Sequence, residues 1–92
     1  MKFTVEVTQI VTVTLDETKF TSEFMDEFRQ SFFQFDTLEE HAEHLAQLAA
    51  RGIAEPSKHC GEFIEGYGPS VDMGITTNVD LLETFVIDKA SA

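Results

Sequence analysis

Histidine and cysteine, the side chains with the most versatile chemistry, occupy four positions of this 92-residue chain. His41 and His44 are three positions apart in a segment of helical periodicity, a spacing that can bring two imidazoles to one metal ion. His59 and Cys60 would complete a tetrahedral set, but the spacing matches no established zinc signature. His41 falls at the edge of an apolar helix face, where hydrogen-bonded packing is ordinary, and His44 falls on the wet face within reach of Glu40. We therefore predict no metal site.

The same residues form no recognisable catalytic set. Cys60 beside His59 would be a thiol–imidazole pair, but a nucleophile must contact its base in space, and neighbours in sequence often point apart. The sequence contains no nucleophile elbow, phosphate loop, dinucleotide-binding glycine motif or Cys-x-x-Cys. We therefore predict that the protein is not an enzyme, has no catalytic residues and uses no cofactor.

Carboxylates are the most abundant charged groups, with 17 acidic residues against 6 basic ones and a formal net charge of −11. This excess argues against direct binding of duplex DNA and against docking on an anionic membrane, because both need a Lys/Arg surface. The carboxylates are either a solvated coat that keeps the protein dispersed or an array that occupies a basic groove in place of phosphates. The candidate partner-binding carboxylates lie on two predicted helices: Glu23, Asp26, Glu27, Glu39, Glu40 and Glu43.

Phenylalanine is unusually frequent, with nine copies and no tryptophan. Most of these rings belong in the core, where each buries a large apolar area. Phe33 falls among the polar residues of the first predicted helix, and Phe20 and Tyr67 fall in predicted loops. Such rings within a border of acids would form an apolar anchor of the kind that protein interfaces use. A homodimer contact, or a helix that ends before Phe33, would explain that position as well. We take Phe33 as a candidate partner-binding residue.

The first element is a strand. Residues 3–16 alternate with a period of two and are rich in Val and Thr, which predicts a long, half-buried strand with one wet face. Gln9 and Ile10 invert the alternation, which indicates a bulge.

Two helices follow. Thr21 or Ser22 is placed to cap the first, whose phenylalanines recur at helical spacing. Thr37 and Glu40 match a capping box, which predicts a second helix over residues 38–51.

The second half of the chain predicts short strands. We expect strands at 62–65, 73–79 and 82–87, with a turn at 66–70 and another near Asp80. The order β-α-α-β-β-β predicts an α+β fold, an antiparallel sheet of three to four strands with two helices packed on one face.

Length and composition bound the class of protein. Ninety-two residues suffice for one domain, which we place at residues 1–88, followed by a frayed tail at 89–92. A hydrophobic content of 42% excludes a disordered acidic tail. Cys60 has no disulfide partner, no apolar run reaches the ~20 residues of a membrane span, and no signal peptide precedes the first strand. We expect a soluble, cytoplasmic protein.

Two parts of the sequence resemble small proteins carried by bacteriophages and prophages: EEHAEHLAQLAARG at 39–52, and FIEGYGP at 63–69 with DMGI at 72–75. The similarity covers most of the chain. In size, acidity and lack of an enzymatic motif, the protein also resembles anti-CRISPR and anti-restriction proteins as a class. That resemblance implies a stoichiometric inhibitor of a host nucleic-acid-handling complex, and it carries no residue-level functional motif.

The first hypothesis is therefore an acidic inhibitor that binds a host defence complex, a CRISPR surveillance complex above all, and blocks its nucleic-acid-binding surface. Phe33 and the six candidate carboxylates would engage a basic surface of that complex. Contact with guide RNA stays open, because the chain has basic residues that would serve it: Lys19, Arg29, Arg51 and Lys58.

Two further hypotheses belong to other classes. A homodimeric structural or regulatory module, with no nucleic-acid-related target, would pair the edge of its first strand with a symmetry mate. A small metal- or thiol-dependent enzyme would use the histidines or Cys60.

Overall fold

The chain forms two helices and four strands, together with two short 3-10 helices. The computed structural model describes residues 1–57 and 59–90, with side chains described except at 80–83 and 87–90. The predicted α+β class and the order β-α-α-β are confirmed. Three strands follow the helices, but not at the predicted positions: a two-residue strand lies within the predicted turn at 66–70, residues 70–73 form a 3-10 helix, and the strands predicted at 73–79 and 82–87 are replaced by one strand. The elements are β1 (Lys2–Thr14), a 3-10 helix (Glu17–Lys19), α1 (Ser22–Ser31), α2 (Leu38–Ala50), β2 (Phe63–Ile64), β3 (Gly68–Pro69), a 3-10 helix (Ser70–Met73) and β4 (Thr76–Ala90).

The strands β1 and β4 form a long antiparallel ribbon. The ribbon begins where Thr14 pairs with Thr76 and ends where Lys2 pairs with Ala90, so both strands stop at its outer end without a connecting turn. Thirteen residues at ~3.3 Å each give the ribbon a length of about 40 Å, and the molecule measures 55 × 30 × 18 Å along its principal axes. We call β1 and β4 the ribbon and residues 15–75 the head.

The bulge expected near Gln9 and Ile10 is present, but its extra residue lies on the opposite strand. The register shifts between Ile10 and Val11, where β4 contributes Asp80 as an unpaired residue. The predicted turn near Asp80 is therefore wrong. A bulge adds one residue while the strand continues, so β4 is a single strand from Thr76 to Ala90 where two strands were expected.

The four strands are divided between two sheets, the ribbon and the β2–β3 pair, where a single sheet was expected. The period-two pattern identifies the faces of a strand but not its partner. β2 and β3 span two residues each because the intervening turn is tight, with the Tyr67 amide donating to the Ile64 carbonyl at 2.9 Å. Pro69 then has no N–H with which to extend a ladder. Of the predicted tail, Ser91 and Ala92 lie outside the described residues.

Both helices begin as the sequence predicts. The hydroxyl of Thr21 accepts the Phe24 amide at 3.1 Å and caps α1. Thr37 and Glu40 form the reciprocal capping box of α2. α1 ends at Ser31, so Phe33 lies beyond the helix, which was one of the two explanations for its position.

The core lies where the helices, the β2–β3 pair and the inner end of the ribbon meet. Partly buried Val13, together with Leu15 just after the strand, brings the ribbon into this cluster, whereas residues 2–10 of the first strand are exposed on both faces. The expectation of a strand half-buried along its whole length is therefore wrong for its outer part, because the head reaches only the inner end. The buried hydrophobic cluster consists of Phe20, Phe28, Leu45, Ala54, Ile64, Tyr67, Met73 and Ile75.

Neither of the two helices, among the residues that the structure describes, has the length and apolar character needed to cross a lipid bilayer.

Candidate functional site

Phe33 is half exposed and is held in place by its neighbours. Directly after α1 the chain turns tightly, with the Phe35 amide donating to the Phe33 carbonyl at 2.9 Å. The ring of Phe33 stacks on Phe35 at a centroid distance of 5.4 Å and contacts the His44 ring at 5.1 Å. Its side chain is 51% exposed. An exposed ring fixed in this way loses little conformational entropy when it is covered by a partner.

A cleft of about 320 Å³ opens beside Phe33 on the head. Its rim is apolar and accessible, since Ile53 is 66% and Phe63 is 73% exposed. Two polar side chains, His44 and Glu65, also line it. We call this the Phe33 cleft. Its apolar walls are Phe32, Phe33, Leu48, Ile53, Phe63 and Ile64.

The end of α2 builds one wall of the Phe33 cleft. Gly52 adopts a left-handed conformation with φ +69°, and its amide donates to the Ala49 carbonyl at 3.1 Å. The Ile53 amide donates to the Leu48 carbonyl at 2.9 Å. These two bonds are the Schellman motif, which brings the residue after the glycine onto the last turn of the helix. Ile53 and Leu48 therefore stand together in the cleft.

Sequence reasoning missed most of this cleft, although a signal was present. A glycine followed by an isoleucine at the end of a helix is the pattern of a Schellman motif, and it places Ile53 against Leu48. Phe63 carried no comparable signal, because a predicted strand at 62–65 does not show which of its side chains the head leaves uncovered. Phe20 and Tyr67, which were candidates for the anchor, are instead buried in the core at 8% and 5% exposure.

The predicted carboxylates occupy different places on the head. Glu43 and Glu40 line a shallow recess that shares His44 with the Phe33 cleft. Glu23 and Glu27 are exposed on α1 and line neither depression. Five of the six candidate carboxylates make no ion pair within the described part of the chain: Glu23, Glu27, Glu39, Glu40 and Glu43.

Glu40 accepts the hydrogen bonds that cap the start of α2. Its Oε1 accepts the Asp36 amide at 2.9 Å, the Thr37 amide at 3.2 Å and the Thr37 hydroxyl at 3.3 Å. The hydrogen bond from the Asp36 amide, joined by those from Thr37, holds the pKa of the Glu40 carboxyl below its usual range. Partner binding through Glu40 would compete with the cap of α2.

Asp26 is also engaged. It forms an ion pair with Arg29, whose guanidinium lies 3.6 Å from Asp36 as well. Arg29 further donates to the Phe35 carbonyl at 3.2 Å and so ties α1 to the segment that carries Phe33. These contacts of Arg29 hold the segment after α1, which carries Phe33, against the helix.

His41 is a packing residue, as the sequence favoured. It is fully buried, and its Nδ1 lies 2.7 Å from the hydroxyl of Tyr67, within hydrogen-bonding distance. Burial lowers the pKa of His41 and raises the pKa of Tyr67 far above its usual range. Five aromatic rings surround the imidazole: Phe20, Phe24, Phe28, Phe35 and Tyr67.

His44 does not lie on the wet face as expected. It is partly buried, because α2 turns this position toward Phe33, Phe35 and Tyr67. His59 and Cys60 are exposed, and His59 lies in a recess at the inner end of the ribbon, apart from the aromatic cluster. Among the side chains that the structure describes, which leave out those at 58, 80–83 and 87–92, no three His, Cys, Asp or Glu converge in a way that would hold a metal ion.

The chain matches no protein-family model, and comparison with curated proteins and with solved structures gives no match either. The phage and anti-CRISPR resemblance therefore stays a prediction, and the function must be argued from the geometry of the head.

Proposed function

We propose that the protein is a binding protein that captures a basic partner through the Phe33 cleft and acts as a stoichiometric inhibitor of a nucleic-acid-handling complex. The observation that carries this proposal is an exposed aromatic cleft on a strongly acidic head. Anchoring rings within a charged border are the usual composition of the energetic centre of a protein interface.

The acidic charge is concentrated on the part of the molecule that carries the cleft. Thirteen of the seventeen acidic residues and four of the six basic ones lie in the head, which gives it a net charge of −9. The two ribbon strands contain four acidic and two basic residues, a net charge of −2. Such a field accelerates the approach of a cationic surface and repels nucleic acid from the same surface.

The cleft defines the chemistry of the partner. Its volume of about 320 Å³ is at the lower end for ligand pockets, so it accommodates one or two apolar side chains of a protein. Glu65 at the rim and Glu43 in the adjoining recess offer carboxylates to flanking Lys or Arg. The partner surface is thus an apolar side chain flanked by basic residues.

The proposed inhibitory activity follows from the nucleic acid that such basic surfaces normally bind. Lys and Arg side chains that bind guide RNA or target DNA are recruited by phosphates, and the carboxylates of the head, with Glu65 and Glu43 nearest the anchor, would take the place of these phosphates. A CRISPR surveillance complex of the bacterial host is the proposed target, in line with the phage resemblance.

Affinity capture tests this proposal with a matched pair of variants. Phe33→Ala removes the ring beside the cleft, and Phe85→Ala removes a ring of similar exposure, 54% against 51%, on the ribbon. We expect immobilised wild-type protein and Phe85→Ala to retain a Lys/Arg-rich nucleic-acid-binding protein from bacterial lysate at low salt. Phe33→Ala should bind it at least about tenfold more weakly. Equal retention by both variants would contradict a role for the cleft, and retention of no such protein would contradict the function.

A further inference from the structure

One face of the ribbon carries an apolar row. In β1 the row consists of every second residue from Phe3 to Val13 and is interrupted only by Gln9. Directly opposed residues of an antiparallel pair share a face, and the register places Val86 opposite Val5 and Val79 opposite Val11. The other opposed positions on β4 are mixed, because Lys89, Thr84 and Thr77 stand opposite Phe3, Val7 and Val13, so the row continues onto β4 only in part.

The inner end of this row belongs to the core, and the outer part does not. Val13 packs against the buried cluster of the head. Farther out, four valines of the row are between 44% and 63% exposed: Val5, Val7, Val79 and Val86. The same face that the head covers at one end is thus open to solvent along most of its length.

A two-stranded ribbon that no other layer covers has little stability of its own. A pair of strands without further layers is marginally stable in water, and residues 2–10 of β1 are exposed on both faces. A long apolar surface next to exposed strand edges favours association with another molecule.

If the partner of the ribbon is a second copy of this chain, the distribution of charge restricts the surface on which the two copies meet. Two copies of a chain with a net charge of −11 repel each other, so they are able to meet only on a surface without carboxylates. The apolar row of β1 contains none. The one acidic residue of β1, Glu6, belongs to the other row. On β4, the register places Glu83 and Asp88 opposite Thr8 and Thr4 of that other row, and Asp80 is the bulge residue, which has no partner position in β1.

We propose that the apolar row of the ribbon packs on the same row of a second copy and forms a symmetric dimer. A surface that pairs with itself requires a two-fold axis. Repulsion between heads of −9 each favours an axis perpendicular to the strands, because this arrangement puts the heads at opposite ends. The dimer leaves both copies of the Phe33 cleft accessible, and it is independent of the function proposed for that cleft.

Sedimentation equilibrium with two double variants tests the dimer. Val5→Lys with Val7→Lys places charge in the apolar row, and Thr4→Lys with Thr8→Lys places the same charge on the opposite face of the same strand. All four side chains are exposed, and every replacement exchanges a β-branched residue for lysine. The measurement needs a reducing agent, because Cys60 is exposed and would cross-link copies.

We expect wild-type protein and the threonine double variant to be dimers in the micromolar range, and the valine double variant to be a monomer. Added salt should leave the dimer intact or tighten it, because it screens the repulsion between copies. A milder variant, Val5→Thr with Val7→Thr, should weaken dimerisation at least about tenfold and serves if the lysine variant does not fold. Monomeric wild-type protein would overturn the proposal, and so would a dimer that withstands both valine replacements.

Discussion

At the scale of single residues, His41 is the group through which the stability of the aromatic core should depend on pH. Its imidazole is fully buried, and its Nε2 has no hydrogen-bond partner among the described residues. Three charged or titratable neighbours act on its pKa: His44 and Arg29 lower it, and Glu40 raises it. Burial, reinforced by His44, lowers the pKa of His41. The folded state therefore holds this ring in its neutral form.

The stability of the protein should fall on mild acidification. The folded-state pKa of His41 lies below the unfolded value of about 6.5, so the unfolded chain takes up the proton first as the pH decreases, and the free energy of unfolding drops. We expect the urea midpoint to decrease between about pH 7.5 and about pH 5.5 in the wild type and in His59→Gln, whose ring is exposed. The decrease should be smaller in His41→Gln. An equal decrease in all three proteins would contradict this role.

Gly66 is required by the ring beneath it. It has φ +93°, and a Cβ at this position would lie 2.7 Å from Cε2 of the buried Phe28. Gly68 has a similar φ of +79° but open space around it. We expect Gly66→Ala to lower the free energy of unfolding by about 2 kcal/mol or more, and Gly68→Ala by about 1 kcal/mol, because only the first adds a clash to backbone strain. Equal losses in denaturant unfolding would show that the contact with Phe28 is unimportant.

At the scale of elements, local signals predicted the helices well. The caps of Thr21 and Thr37 depend on residues within four positions, so the sequence alone suffices to identify them. A bulge is present near Ile10 as expected, but its extra residue is on β4, which the local pattern of β1 does not report. The partition of the strands was not found, since a period of two reports which side chains share a face and says nothing about the partner strand. The prediction that Phe20 and Tyr67 belong to an exposed anchor was wrong, because distant parts of the chain decide whether a loop residue is buried.

The candidate site was predicted only in part, because local patterns identify single residues but not the distant segments that meet in the folded head. Phe33 stood out because it broke the pattern of α1, and it lines the cleft. Ile53 and Phe63 come from separate segments, and only the folded head brings them beside Phe33. Whether carboxylates lie near one another also depends on tertiary structure. Glu43 is next to the cleft in space, whereas Glu23 is not among its lining residues.

The carboxylates of α1 should act on the rate of association. Glu23 and Glu27 line neither the cleft nor the adjoining recess, so their contribution is long-range attraction. We expect Glu23→Lys with Glu27→Lys to lower the association rate constant for the captured partner about tenfold at low salt, with little change in the dissociation rate constant. Phe33→Ala should show the reverse pattern. Surface plasmon resonance at two salt concentrations measures both constants, and an unchanged association rate in the α1 variant would contradict steering by this helix.

At the scale of the whole molecule, charge and apolar surface are separated along the long axis. The head holds a net charge of −9 and the Phe33 cleft, and the ribbon holds a net charge of −2 and the apolar row. The two proposed interactions should respond to salt in opposite ways. Binding of a cationic partner to the head should weaken as salt screens the attraction, whereas contact between two ribbons should not. Salt dependence therefore distinguishes the two interactions in one sample.

The most direct test of the central claim is competition between this protein and nucleic acid for one surface. A purified CRISPR surveillance complex is titrated with labelled target DNA in the presence of wild-type protein, Phe33→Ala or Phe85→Ala. We predict that wild-type protein and Phe85→Ala displace the DNA at equimolar amounts, that Phe33→Ala needs at least about a tenfold excess, and that raised salt weakens the displacement. Full DNA binding in the presence of saturating wild-type protein would contradict the account.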